Sequence, residues 1–196
     1  MDRSKMETAV RSFLEGIGQR FDGDDLVATP ARVARAWCED LLAGYDLDPS
    51  AELTWTPVEP GSGPVMVRRL RFASVCVHHL LPFFGFAHVA YAPDRRIAGL
   101  SKIGRVVDAH ARRLQTQERL TAAIVDTLHG GLEAGGTIAL LEAEHTCMTV
   151  RGVRKDQGRM VTLSSAGLYR EDPAARNEIL GLLLGRALDS ESSGQD

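Results

Sequence analysis

Three soft-ligand side chains drawn from two distant segments constrain this 196-residue chain most: Cys76 and His79 in SVCVHHLLPF, and Cys147 in EHTCMTVRG. Two thiolates and an imidazole suit zinc, a borderline-soft ion, and three protein ligands leave a fourth tetrahedral position open, as in catalytic rather than structural sites. Any fold that uses them must bring the two segments together. Residues three apart cannot share a face of a straight strand, so Cys76 and His79 require a turn, and Pro82 just downstream is in keeping with a bend. If residues 137–151 form a strand, His145, Cys147, Thr149 and Arg151 share one face, opposite Ile138, Leu140, Met148 and Val150. One sheet face then carries a histidine, a thiolate and a cation. Each residue alone would read as buried packing; their clustering argues for a site.

A chain of this length buries an adequate core without disulfides or a structural metal, which leaves a metal free for function. Three cysteines is an odd count, no apolar leader precedes them, and no run reaches the roughly 18 apolar residues of a membrane span. The expectation is a soluble, cytoplasmic protein in a reducing compartment, with no membrane partner. A net charge of −3 and a pI of about 6.1 weigh against a nucleic-acid partner. Two local basic patches stand out: Lys102, Arg105, Arg112, Arg113 and Arg119 against Asp108 and Glu118, and Arg151, Arg154, Lys155 and Arg159 against Asp156.

Helical spacing of Met6, Val10, Phe13, Leu14 and Ile17 predicts a first helix over 4–18. Thr29 as cap and Pro30 at the first helical position predict a second, with a stripe of Val33, Trp37, Leu41 and Leu42 ending near Gly44. Residues 1–48 are therefore expected to form a helical hairpin. Prolines and glycines make 49–64 a connector with at most a short strand at 53–56. Strands are predicted at 65–77, 85–91, 137–151 and 159–169. Between them Ser101 caps one long helix, striped by Ile103, Val106, Val107, His110, Leu114, Gln117, Leu120, Ile124 and Leu128 and stopped by Gly130-Gly131. A last helix starts near Pro173, the main domain spans 65–188, and the polar tail 189–196 is expected to be disordered.

From Ala28 onward the chain resembles the GTP cyclohydrolase I family, through ATPARVARAW, SVCVHHLLPFFG, GLSKIGRVVDAHARRLQTQERLT, EHTCMTVRGV and GLYREDPAARNEIL. The resemblance implies an α+β tunnelling fold, an antiparallel sheet with helices on one face. It also implies a homo-oligomer, a decamer of two pentamers, with active sites between subunits and sheet edges hidden by neighbours. Cys76, His79 and Cys147 would hold Zn2+, which activates water to attack C8 of GTP. His145 would protonate a ring nitrogen, and His78 would be a second proton-handling group. Glu118 would read the guanine edge and Gln117 the base or ribose. Lys102, Arg105, Arg151 and Arg32 would bind the triphosphate, joined by Ser101, with Arg35 a weaker candidate. The product would be 7,8-dihydroneopterin triphosphate with release of formate.

The family pattern reads Cys-Glu-His-His where this chain has Val77. Either an acidic group beside the metal is lost, or the side chain points away along an alternating strand and only a neighbouring contact changes. A specialised paralogue that stops at the ring-opened formamide, or takes a related purine nucleotide, is the nearest alternative. Two remoter ones are a nitrile reductase of the same fold, which needs a reactive cysteine without metal, and a non-catalytic zinc-stapled protein, which needs Cys38 as fourth ligand.

Overall fold

The computed structural model describes residues 1–20, 24–155 and 158–185; the tail expected from Asp189 lies outside them. In chain order, α1 (Arg3–Gly16), α2 (Asp24–Val27) and α3 (Thr29–Ala36) lead through a π-helical turn at Trp37–Leu41 and a 3-10 turn at Ala43–Asp46 to α4 (Pro49–Glu52). Then come β1 (Trp55–Pro57), β2 (Val65–Cys76), β3 (Pro82–Ala92), β4 (Arg96–Ala98), α5 (Leu100–Ala111), β5 (Leu114–Gln115) and α6 (Gln117–Leu132). The chain continues with β6 (Gly136–His145), α7 (Thr146–Thr149), β7 (Met160–Gly167), α8 (Leu168–Glu171) and α9 (Pro173–Leu183). Short polar side chains start the helices by accepting otherwise orphaned amides: Asp2 from Lys5, Thr116 from Arg119, and Asp172 from Ala174 and Ala175.

Five strands form one sheet in the order β5-β2-β3-β6-β7, antiparallel except for β5, which runs parallel to β2; β1 and β4 make a separate two-stranded ribbon. Alternation along the strands sorts side chains between two faces. Phe83, Ala87, Val89 and Tyr91 of β3, with Ala139, Leu141 and Ala143 of β6, pack against Ile103, Val106 and Val107 of α5 and Leu120, Ile124 and Leu128 of α6. Burying each of the larger aliphatic side chains contributes about 2 kcal/mol. The intervening Ala90 and Ile138 face the other way, onto Tyr169, Ile179 and Leu183. Gly85 marks the closest approach of β3 to β6, since a Cβ there would overlap the Glu142 carbonyl.

The structure corrects several expectations. The long helix is two: α5 ends at Ala111, residues Leu114–Gln115 leave the helical path to pair with Val75 and Cys76, and Thr116 caps a new helix. Arg113 secures the break, donating to the carbonyls of Gly44, Ala109 and Leu47. The second helix runs past Gly130-Gly131 to Leu132 and ends on Glu133 in a left-handed conformation. Gly99, not Ser101, occupies the cap of α5, and Ala28, not Thr29, that of α3. The strand expected over 137–151 ends at His145, because β3 begins at Pro82 and offers no partner beyond the Phe83–His145 pair. Helices do not all lie on one face, since α9 covers part of the other. Among the described residues no helix is long and apolar enough to cross a membrane.

Candidate active site

β2 ends at Cys76, and a tight turn carries the chain back. The Leu80 amide donates to the Cys76 carbonyl at 2.9 Å, the Cys76 amide donates to Leu81, and Leu80 takes a positive φ of 54° to allow it. The turn folds both imidazoles toward the thiol, with His79 Nδ1 3.8 Å and His78 Nδ1 3.9 Å from Cys76 Sγ. Cys147 arrives on α7, which Thr146 ties down by donating its hydroxyl to the Pro82 carbonyl at 2.6 Å. Cys147 therefore meets Cys76 from a helical turn rather than along a strand face, and the parity argument applies only as far as His145.

The donor atoms of Cys76, His79 and Cys147 all lie within 4.8 Å of one another. Tetrahedral zinc with ordinary bond lengths needs ligand atoms about 3.5–3.8 Å apart, so a small contraction suffices. Burial pushes the Cys147 thiol above its usual range and the Cys76 sulfur adds to this, while Arg151 works the other way. Two sulfurs held together resist ionising unless a cation lies between them. The donor set and its spacing fit a zinc ion.

His145 closes β6 on the face occupied by α6. Its Nε2 lies 2.8 Å from Gln117 Oε1, and its ring stacks on buried Phe83 with centroids 4.4 Å apart and planes 6° from parallel. Burial lowers the His145 pKa, partly offset by the charge of Glu118. Gln117, expected beside the base or ribose, is instead 1% exposed. Its Nε2 is within reach of the Leu141 and Met160 carbonyls and Thr162 Oγ1, at 3.1, 3.0 and 3.0 Å. Glu118, in the first turn of α6, is exposed.

Not every sequence candidate joins this cluster. Ser101, Lys102 and Arg105 sit in the first turns of α5, after Ala98, whose amide donates to the Tyr91 hydroxyl at the far end of β3. From that end α5 runs twelve residues, about 17 Å along its axis, toward β5, which pairs with Val75 and Cys76. Arg105 instead lies 3.7 Å from Glu52. Arg32 and Arg35 are exposed on α3, and Arg151 is exposed after α7. Val77 opens the turn beyond β2, 36% exposed, its amide donating to the Gln115 carbonyl. A hollow of about 600 Å³ lined by Asp40, Arg71, Phe84, Asp108 and Arg112 includes none of the metal donors. Sequence reading missed Phe83 and Thr162. Extending β3 to Pro82 would have paired Phe83 with His145, but Thr162 carries no local signal.

The GTP cyclohydrolase I family model matches residues 6–184. GTP cyclohydrolase 1 of Thermobifida fusca is 47% identical over 188 residues, covering 95% of this chain and 90% of that protein. The Rhodopirellula baltica protein of the same name is 43% identical, covering 93% of this chain and 80% of that one. That of Streptococcus pyogenes is 42% identical, covering 93% and 94%. A match spanning all but the ends, together with a converging Cys-His-Cys trio, shows that the chain belongs to the GTP cyclohydrolase I family.

Proposed function

We propose that this chain opens the imidazole ring of GTP at C8, releases formate and rearranges the remainder to 7,8-dihydroneopterin triphosphate. The observation that carries the reading is a three-donor group, Cys76, His79 and Cys147, with His145 held by Gln117 two residues before Cys147, in a chain whose named relatives are GTP cyclohydrolases. Cys76, His79 and Cys147 hold Zn2+, which when bound supplies Lewis acidity near neutral pH. His145 holds and gives a proton at a purine ring nitrogen, and His78 serves the later transfers. Glu118 accepts from the adjacent N–H donors of the guanine edge. Ser101, Lys102, Arg105, Arg151 and Arg32 take the triphosphate. Ser101, Lys102 and Arg105 start α5 at the end away from β5 and Cys76, and a second copy of the chain supplies those three to the site. That placement favours active sites between subunits of a homo-oligomer; the family resemblance makes it a decamer of two pentamers, and the catalytic unit begins at residue 65. Ligand thiolates suit a reducing, cytoplasmic setting.

The exposed Val77, where the family pattern has a carboxylate, favours one second reading, a paralogue that stops at the ring-opened formamide. Mass spectrometry of the products formed from GTP by zinc-replete protein, with formate assayed alongside, decides between them. Dihydroneopterin triphosphate with formate supports the full reaction, a formamide supports the second reading, and unchanged GTP refutes both.

A further inference from the structure

We infer that a bulge in β2 builds a binding site for the phosphate group of a small molecule, on the sheet face away from α5 and α6. The register of β2 against β3 sets Val67 opposite Val89 and Leu70 opposite Ala87, so Arg68 and Arg69 together oppose the single residue His88. The extra residue undoes the alternation that would send consecutive side chains to opposite faces. Both arginines therefore line one hollow of about 420 Å³ with His88 and Glu142, closed on one side by Leu183 and Leu184 at the end of α9. Arg69 takes a left-handed backbone, φ 58°, which is unfavourable for any residue with a Cβ. Strain of this kind persists only where the surroundings impose it, and at a bulge it re-aims a side chain.

Charge in the hollow is unbalanced. Arg159, on its rim, is satisfied by Glu144 at 3.0 Å. Among the described residues neither Arg68 nor Arg69 forms an ion pair or a hydrogen bond; Arg69 only stacks over the Phe86 ring, 4.4 Å from its centroid. An anion with several acceptor oxygens takes both guanidinium forks and relieves their mutual repulsion. Two further groups ask for a hydrogen-bond donor or acceptor from the same ligand. Glu142 can only accept. His88 Nδ1 is buried without a partner, and burial, then Arg68, lowers the His88 pKa, which keeps the ring neutral near pH 7. An orphaned ring nitrogen beside a charged hollow marks a missing polar group. The fitting ligand brings phosphate oxygens for the arginines and a proton for Glu142 or His88. Inorganic phosphate, protonated at neutral pH, and a hydroxyl-bearing phosphate monoester both do so; sulfate has the charge but no proton to give.

Isothermal titration calorimetry on the zinc-replete full chain, with inorganic phosphate, ribose 5-phosphate and sulfate, tests the assignment. One or both phosphates should bind, the tighter of them showing whether the group is free or carried on an ester, and sulfate should bind at least about tenfold more weakly. Arg68→Gln and Arg69→Gly should each weaken the preferred phosphate about tenfold or more. Glycine suits the left-handed backbone, so Arg69→Gly should keep the wild-type melting temperature, which separates lost binding from lost folding. Arg105→Gln, at the start of α5, should retain this binding. A Kd above about 10 mM for both phosphates, equal affinity for sulfate, or binding that is lost in Arg105→Gln and kept in Arg68→Gln would overturn the inference.

Discussion

His110 lies on α5 against α6, its Nε2 2.8 Å from Thr127 Oγ1, and its pKa is lowered from 6.5 to about 4. Burial is the main cause and the nearby Arg113 the second, with Asp126 opposing them. Unfolded chain takes up a proton there near the ordinary value, whereas folded chain waits until about pH 4. Between those limits the unfolded state binds more protons, so stability falls as pH falls. Going from about pH 7.5 to about pH 5, the full shift corresponds to about 2 kcal/mol, which solvent screening of a part-exposed ring reduces to about 1 kcal/mol. Urea unfolding of wild type and His110→Gln at both pH values isolates this, because metal loss and other carboxylate and histidine effects are common to the two proteins. The variant should lose about 1 kcal/mol less than wild type on acidification. Parallel losses would refute the assignment of acid sensitivity to His110.

Two further predictions concern the metal donors and the strand contact behind them. Cys147→Ser should retain its circular dichroism but fall from about one zinc per chain to almost none, and ring opening should go with the metal; turnover in the metal-free variant would remove zinc from the mechanism. Gly85→Ala drives a Cβ into the Glu142 carbonyl and to 2.7 Å from Ala143 Cα, both backbone atoms with no room to yield. It should cost about 3 kcal/mol or more, and an unchanged melting temperature would show that β3 and β6 can separate without penalty.

Elements with strong local signals were legible. The apolar stripes of α1, α5 and α6 and the Pro173 start of α9 are each determined by a few neighbouring side chains. The helical stripe nevertheless ran through residues 112–116, because the apolar positions on either side of the break stay in phase. What breaks the helix is remote: carbonyls of Gly44 and Leu47 that take the Arg113 guanidinium, and a β2 edge that takes Leu114–Gln115. The 137–151 strand was overextended for a related reason, since alternation continues past the point where the partner strand begins at Pro82.

At the candidate site the chemistry can be read from the residue types alone. Ligand softness, the C-x-x-H spacing and the histidines are covalent facts, and with the family motifs they name a metal and a reaction. Tertiary structure alone decided the geometry: Cys147 meets Cys76 from a helical turn, and Gln117 is buried as a hub. Ser101, Lys102 and Arg105 start α5 and are not among the residues of the Cys-His-Cys trio. Hydrogen bonds and metal coordination act over a few ångströms in space whatever the separation along the chain, so local sequence can supply the groups but only the fold can bring them within reach.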